Sequence, residues 1–412
     1  MNERTNQSQS PRLTSSDRPF RLDEFEVHSK LALAIASLPG ISRADLSRDT
    51  GFARSTVSQL IQPLIDAGLV IEHAAGPSGR GRPCTRLSIN PRAGLILVAD
   101  IGATHGRLVV ADLGQHSLAE HHFDVDLAAG PNVVLDRLAD DFMRMVADRN
   151  LSKLPIRAVV VGLPSPVDFG RGVCVRPPIM PDWDEFPVST YLQHRLRAPI
   201  PVLVDNDANL MALGEARMRP ATQSPLIFAK ISTGIGCGIV TADGQLHRGI
   251  DGAAGDIGHV RVAGHDDTVC RCGNIGCIEA VASATALLRQ LGQIANATPT
   301  IEDLAWLIKA RDPVAIRLIR DAATKIGEVM AMLVHILNPA TIVLGGRLTR
   351  ISNDLLAGVR AVVYQRALPL ATRSLLIEST SSDRYVGTIG GIVLATEHVL
   401  SGRGIAVILR DD

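Results

Sequence analysis

The distribution of apolar and polar positions divides the chain into two textures. From Leu22 to about Val70, apolar residues recur at helical spacing in short segments separated by glycine. "EFEVHSKLALAIASLPG" reads as a helix that stops at Gly40. Ser42 reads as the N-cap of "RADLSRDTG", a helix ended by Gly51. After "GFA" comes "RSTVSQLIQPLIDAGLV", with Val57, Leu60, Ile61 and Leu64 on one face. From Ala93 onward, fully apolar strands such as those in "GLILVADIGATHGRLVVADLGQ" alternate with helices, an α/β texture.

The first texture has a chemical face. Arg54, Ser55, Thr56, Ser58, Gln59 and Gln62 keep the N-terminal half of the third helix polar. A helix, a short glycine turn and a second helix of this kind is the helix-turn-helix layout, whose second helix offers its first residues to base edges in the major groove. The plainer reading is a three-helix domain with a solvated face. "GLVIEHAAGPSGRGRPCTRLSI" then reads as strand, loop and strand, a wing tipped by Arg80-Gly81-Arg82-Pro83. Two arginines on a narrow, proline-stiffened turn suit an A·T-rich minor groove, so the two features together predict DNA binding.

Composition refines this picture. The chain has 412 residues, 46% hydrophobic and 20% charged, with 42 basic and 42 acidic side chains. That is a globular profile with room for several domains, and it argues against a protein that coats nucleic acid while leaving room for one DNA-binding module. No apolar run reaches membrane-spanning length, and "MNERTNQSQSPRLTSSDRPF" lacks the apolar stretch of a signal peptide. A cytoplasmic location with no membrane partner is expected, with residues 1–20 as a disordered polar leader.

The second texture carries turns suited to anions. Asp100, Gly102 and Thr104 occupy the turn between its first two strands, where backbone and hydroxyl can meet a phosphate and the carboxylate a magnesium ion or water. "TGIGCG" follows "PLIFAKIS" and places Thr233, Gly234 and Gly236 similarly. Gly345-Gly346 and "GTIGG" (387–391) complete four glycine turns, each unremarkable alone. Their order is similar to that in the nucleotide cleft of actin-like sugar kinases, two α/β lobes with ligands between them. In "PVLVDNDANLMALGEA" a buried strand runs into Asp205, Asn206, Asp207 and Asn209 and then a helix. Such groups at the carboxyl end of a strand point into a cleft. Asp207 is placed to accept a proton from a sugar hydroxyl and Asn206 to bond two hydroxyls. A plain N-cap cluster is the alternative, although one cap residue suffices for a helix.

Three of the six cysteines lie in "HDDTVCRCGNIGCIEA" (265–280), with His259 eleven residues before Cys270. His259, Cys270, Cys272 and Cys277 form a ligand set for structural zinc with no open coordination position. Disulfides are disfavoured in a reducing compartment, and the cysteine spacings do not match a redox Cys-x-x-Cys pair. His265 is a competing imidazole, read as a surface residue. The metal ties the loop bearing Asp256 to the loop bearing Glu279, so both carboxylates stand on one braced platform for a polyhydroxylated ligand.

"DIGATH", "GLPSPVD", "DNDAN", "TGIGCG", "GAAGDIGH" and "CRCGNIGCIE" occur in the order seen in the ROK family of repressors, open reading frames and sugar kinases, which the chain resembles over roughly residues 22–400. The resemblance implies an actin-like (ribonuclease H-like) two-lobed fold after a winged helix-turn-helix, as in ROK regulators of the xylose- or N-acetylglucosamine-repressor kind. It implies a sugar site of Asn206, Asp207, Asp256, His259 and Glu279, with Asp207 matching the kinase base and His259 meeting both zinc and sugar. It implies ATP-phosphate loops at Asp100, Gly102, Thr104, Thr233, Gly234 and Gly236. The sequence departs at Ala103 and His105, where Gly and Lys are usual, and at Ser232, where Gly is usual; these weaken the case for ATP and magnesium. Asp256 replaces a Glu and Ile179 an Asn, which leaves the sugar open.

The expected organisation is a DNA-binding domain at 21–92, a smaller lobe at 93–215 to which a helix at 387–400 returns, and a larger zinc-bearing lobe at 216–386. The expected function is a sugar-responsive regulator, acting as a homodimer or homotetramer on a palindromic operator. The alternative is an ATP-dependent sugar kinase carrying a DNA-binding domain.

Overall fold

Residues 24–74, 85–380 and 385–410 are described in the computed structural model, so Arg80 and Arg82 at the wing tip and the leader lie outside the described residues. The chain divides into two units, one holding the described residues up to Leu87 together with those from Leu400 on, the other Ser88–Val399.

The first unit starts with α1 (Glu24–Ser37), β1 (Ile41–Ser42), α2 (Arg43–Thr50), α3 (Arg54–Asp66), β2 (Val70–Ala74) and β3 (Thr85–Ile89). Ser42 caps α2 through a reciprocal capping box with Asp45, and Gly51 ends it in the left-handed conformation at φ 76°. Leu31, Ile35, Leu46, Val57, Ile61 and Leu64 are fully buried and pack the three helices together. The strands form a three-stranded sheet in the order β1-β3-β2. A late helix, Gly402–Arg410, packs on α1 and buries Ile405 and Ile408, while the Arg410 guanidinium lies 5.3 Å from the centre of the Phe25 ring.

The second unit opens with β4 (Leu95–Ile101), β5 (His105–Asp112), β6 (Ser117–Asp124), α4 (Pro131–Asp148), β7 (Ile156–Leu163), the hairpin β8 (Val167–Asp168) and β9 (Val173–Cys174), α5 (Val188–Leu196), β10 (Val202–Asn206) and α6 (Asp207–Arg217). It continues with β11 (Leu226–Ile231), β12 (Ile235–Val240), α7 (Ile278–Ala282), α8 (Ala284–Ala295), α9 (Ile301–Lys309), α10 (Pro313–Leu337), β13 (Thr341–Gly345), α11 (Arg347–Ile351), α12 (Asn353–Arg366), α13 (Pro369–Thr372), β14 (Leu376–Ser379) and α14 (Val386–Val399). The late helix of the first unit is α15.

Two sheets carry this unit. The first has the order β10-β7-β4-β5-β6, the second β12-β11-β13-β14. β4, β7 and β10 run parallel, and Asp100 and Asp205 both pair with Gly162 from opposite sides of β7. The carboxyl ends of these strands therefore release Asp100, Pro164-Ser165 and Asn206-Asp207 at one edge. On the second sheet β11 pairs in parallel with β13 and antiparallel with β12. α6 and α14 lie against each other, and α14 also covers β4 and β7. Two glycines allow this approach: a Cβ on Gly390 would stand 1.9 Å from the Leu210 carbonyl oxygen, and one on Gly214 2.0 Å from that of Val386. The glycines of "GTIGG", read from sequence as a turn opening a helix, thus lie within α14 as packing positions.

Candidate functional site

Between the two sheets of the second unit is a cavity of about 400 Å³, of the size that holds a small ligand. Asn206, Asp207, Asp256, His259 and Glu279 all line it, with Thr104, Thr233, Gly234, Gly236 and Ile179. Asp100 and Gly102 are not among the lining residues; Asp100 stands beside the Gly387 backbone, where a Cβ would lie 2.3 Å from its carboxylate.

The strand-to-helix turn is held from several sides. Asp205 is buried and accepts hydrogen bonds from the Asn206 backbone N–H and Asn209 Nδ2, both at 2.8 Å, and from Arg248 Nε and Nη2 at 2.9 and 2.7 Å. Arg248 in turn lies 3.9 Å over the Phe169 ring. Asn206 accepts from the Ala208 N–H at 2.9 Å as helix N-cap and donates from Nδ2 to the Ser165 carbonyl at 2.9 Å. One lone pair and one N–H remain for a ligand, enough for the two hydroxyls expected from sequence. Asp207 is buried and ion-paired with Lys230 Nζ. Neither Arg248 nor Lys230 was singled out from sequence. Lys230 had a signal: it is the cationic member of the row Leu226, Phe228, Lys230 on alternate positions of β11. Arg248 had none, because its partner lies forty-three residues away.

Glu279, at the start of α7, accepts a hydrogen bond from the Ile235 N–H at 3.0 Å. A Cβ on Gly234 would meet its carboxylate at 2.4 Å, and one on Gly238 would strike Ala212 of α6 at 2.5 Å. The alternating glycines of "TGIGCG" therefore admit a carboxylate and a helix to β12. Desolvation pushes the Asp256 carboxyl up and His259 opposes it. Asp100 is pushed up to about 6, by burial first and then by Asp207, against the pull of Lys230 and Arg107.

The four expected metal ligands converge. One donor atom from each of His259, Cys270, Cys272 and Cys277 lies within 4.8 Å of all the others. Cys270 Sγ is 3.7 Å from His259 Nδ1, and Cys272 Sγ is 3.7 Å from Cys277 Sγ. A tetrahedral zinc ion sets such donors about 3.5–3.8 Å apart, so the residues present fit the ion. His259 Nε2 faces the other way, 3.9 Å from Asp256 Oδ1, toward the cavity. Burial and the neighbouring thiols push the Cys277 thiol up to about 12, and a bound dication reverses that preference.

In the first unit, Arg54, Ser55, Ser58 and Gln59 are exposed along the N-terminal half of α3, and Thr56 is half-buried. The N-cap of α3 is Ala53, which offers no side-chain acceptor to the first N–H groups of the helix.

A family model for the ROK family matches residues 96–398. The chain belongs to the ROK family. Among its ROK relatives, the xylose repressor of Caldicellulosiruptor bescii is 29% identical over 88% of this chain and 93% of its own. A crystal structure of a ROK family transcriptional regulator, a homologue of the E. coli MLC protein, superposes with a TM-score of 0.79 at 24% identity over 94% of this chain and 99% of the other. A ROK hexokinase from Thermus thermophilus superposes with a TM-score of 0.61 at 28% identity, covering 74% of this chain and 99% of its own.

Proposed function

We propose that the chain is a cytoplasmic, sugar-responsive DNA-binding transcriptional regulator, acting as a repressor. The observation that carries this reading is coverage. The hexokinase accounts for 74% of the chain, whereas the xylose repressor aligns with 88% of it. The additional portion includes a helix-turn-helix whose α3 exposes Arg54, Ser55, Ser58 and Gln59. The uncapped N-terminus of α3 adds backbone donors for a phosphate. A sugar or sugar phosphate binds between the two sheets against Asn206, Asp207, Asp256, His259 and Glu279. Structural zinc on His259, Cys270, Cys272 and Cys277 holds the last three in place. A homodimer or homotetramer reads a palindromic operator.

Gel-shift titration of an operator from the chain's own locus tests the reading, with and without xylose, glucose and N-acetylglucosamine. A sugar that alters operator affinity about tenfold favours one state by about 1.4 kcal/mol. Gln59→Ala is expected to weaken operator binding with loss of sequence discrimination, and Arg82→Ala to weaken it with a lower salt slope. Sugar-independent binding across the panel, or equal binding by both variants, contradicts the reading.

A further inference from the structure

The sequence expectation for the cleft includes two phosphate loops and a base, the parts of a magnesium-nucleotide site. One side chain in the cleft does not fit that use. Lys230 stands on β11 between Gly236 of β12 and Gly345 of β13 in register. The strand's buried face turns there from Leu226 and Phe228 to an ammonium, which lines the cavity and is ion-paired with the buried Asp207. Asp100 lies close enough to both Asp207 and Lys230 to feel their charges. Magnesium binds through one or two carboxylates and substrate phosphates. Here Asp207 already has a cation on the protein itself.

We propose that Lys230 is a resident cation of the effector cleft, standing at Asp207 in place of a divalent ion. It fixes Asp207 as a hydrogen-bond acceptor for an effector hydroxyl and makes the cleft closed to magnesium nucleotide. Lys230 is thus a specificity-determining residue: it separates a cleft that senses from one that transfers phosphate. The inference rests on the reading of this cleft as the effector site, but its test does not pass through operator binding.

The test is calorimetric titration of the full-length, zinc-loaded protein with magnesium chloride and with the magnesium complex of AMPPNP. The parent is expected to bind neither at millimolar concentration. Lys230→Met, which keeps an unbranched side chain of similar bulk and loses the charge, is expected to gain magnesium-dependent AMPPNP binding by at least about tenfold, a modest part of what a unit charge at contact distance contributes. Lys230→Ala provides the same reading without the longer side chain, and Lys230→Arg, which keeps the charge, is expected to bind no more nucleotide than the parent. Circular dichroism and zinc content identify variants that fold. Binding of magnesium AMPPNP by the parent within twofold of the neutral variants overturns the proposal, as does its failure to appear in a folded neutral variant. A sugar panel without effect on operator binding overturns the functional reading instead.

Discussion

Asp205 and Asp207 stand two positions apart on one turn and meet different partners. Asp205 spends both oxygens on the protein, Asp207 one on Lys230. Sequence showed the acidic cluster and its place after a buried strand, because strand ends in α/β sheets are recognisable locally. It did not show Arg248, which pairs with Asp205 across a loop. Removing one partner of a buried ion pair leaves an uncompensated charge and costs about 3–5 kcal/mol. Arg248→Ala is therefore expected to lower the melting temperature and to weaken effector binding, read by thermal shift with and without sugar; an unchanged melting curve contradicts the strut role. Asp100 makes the opposite case. Its pKa is raised from 3.8 to about 6, with Asp207, Lys230 and Arg107 facing it, so the folded state favours its protonated form. Its penalty is absent below pH 3.8, grows through the window up to 6, and is full above it. Asp100→Asn is expected to raise the melting temperature at pH 7.5 by on the order of 2–4 °C and to leave it unchanged at pH 4. A gain of equal size at both values contradicts the assignment.

At the scale of elements, the glycine turns were legible as turns but not as contacts. "TGIGCG" and "GTIGG" carry similar sequence signals, yet the first borders the cavity while the second lies within α14 against α6. The difference depends on what approaches each glycine in space, which spacing along the chain does not encode. Gly390→Ala would place a methyl 1.9 Å from the Leu210 carbonyl oxygen. Because that atom is backbone, α6 and α14 must move apart, at a cost of about 1–3 kcal/mol. Denaturant titration is expected to show this loss together with weaker sugar binding, since α6 begins at Asp207; full stability in the variant contradicts the close packing. The convergence of the four candidate metal ligands was legible, because they are close in sequence. Cys272→Ser is expected to reduce bound zinc from about one equivalent to a small fraction by elemental analysis, with the sugar-induced thermal shift lost alongside. Complete zinc occupancy in that variant contradicts the ligand set.

For the whole molecule, the DNA-reading helices and the α/β character of the rest were visible from periodicity, and the family from ordered motifs. What periodicity left out was α15. Its short amphipathic pattern after α14 says nothing about which unit it joins, yet it covers α1 with Ile405 and Ile408. The first unit is therefore discontinuous in sequence, with the whole second unit between its two segments. A ribosome emits α1, α2 and α3 first and the helix that covers α1 only after the effector unit has been made. The packing around α1 is thus completed last in synthesis, after the whole of the second unit has been made.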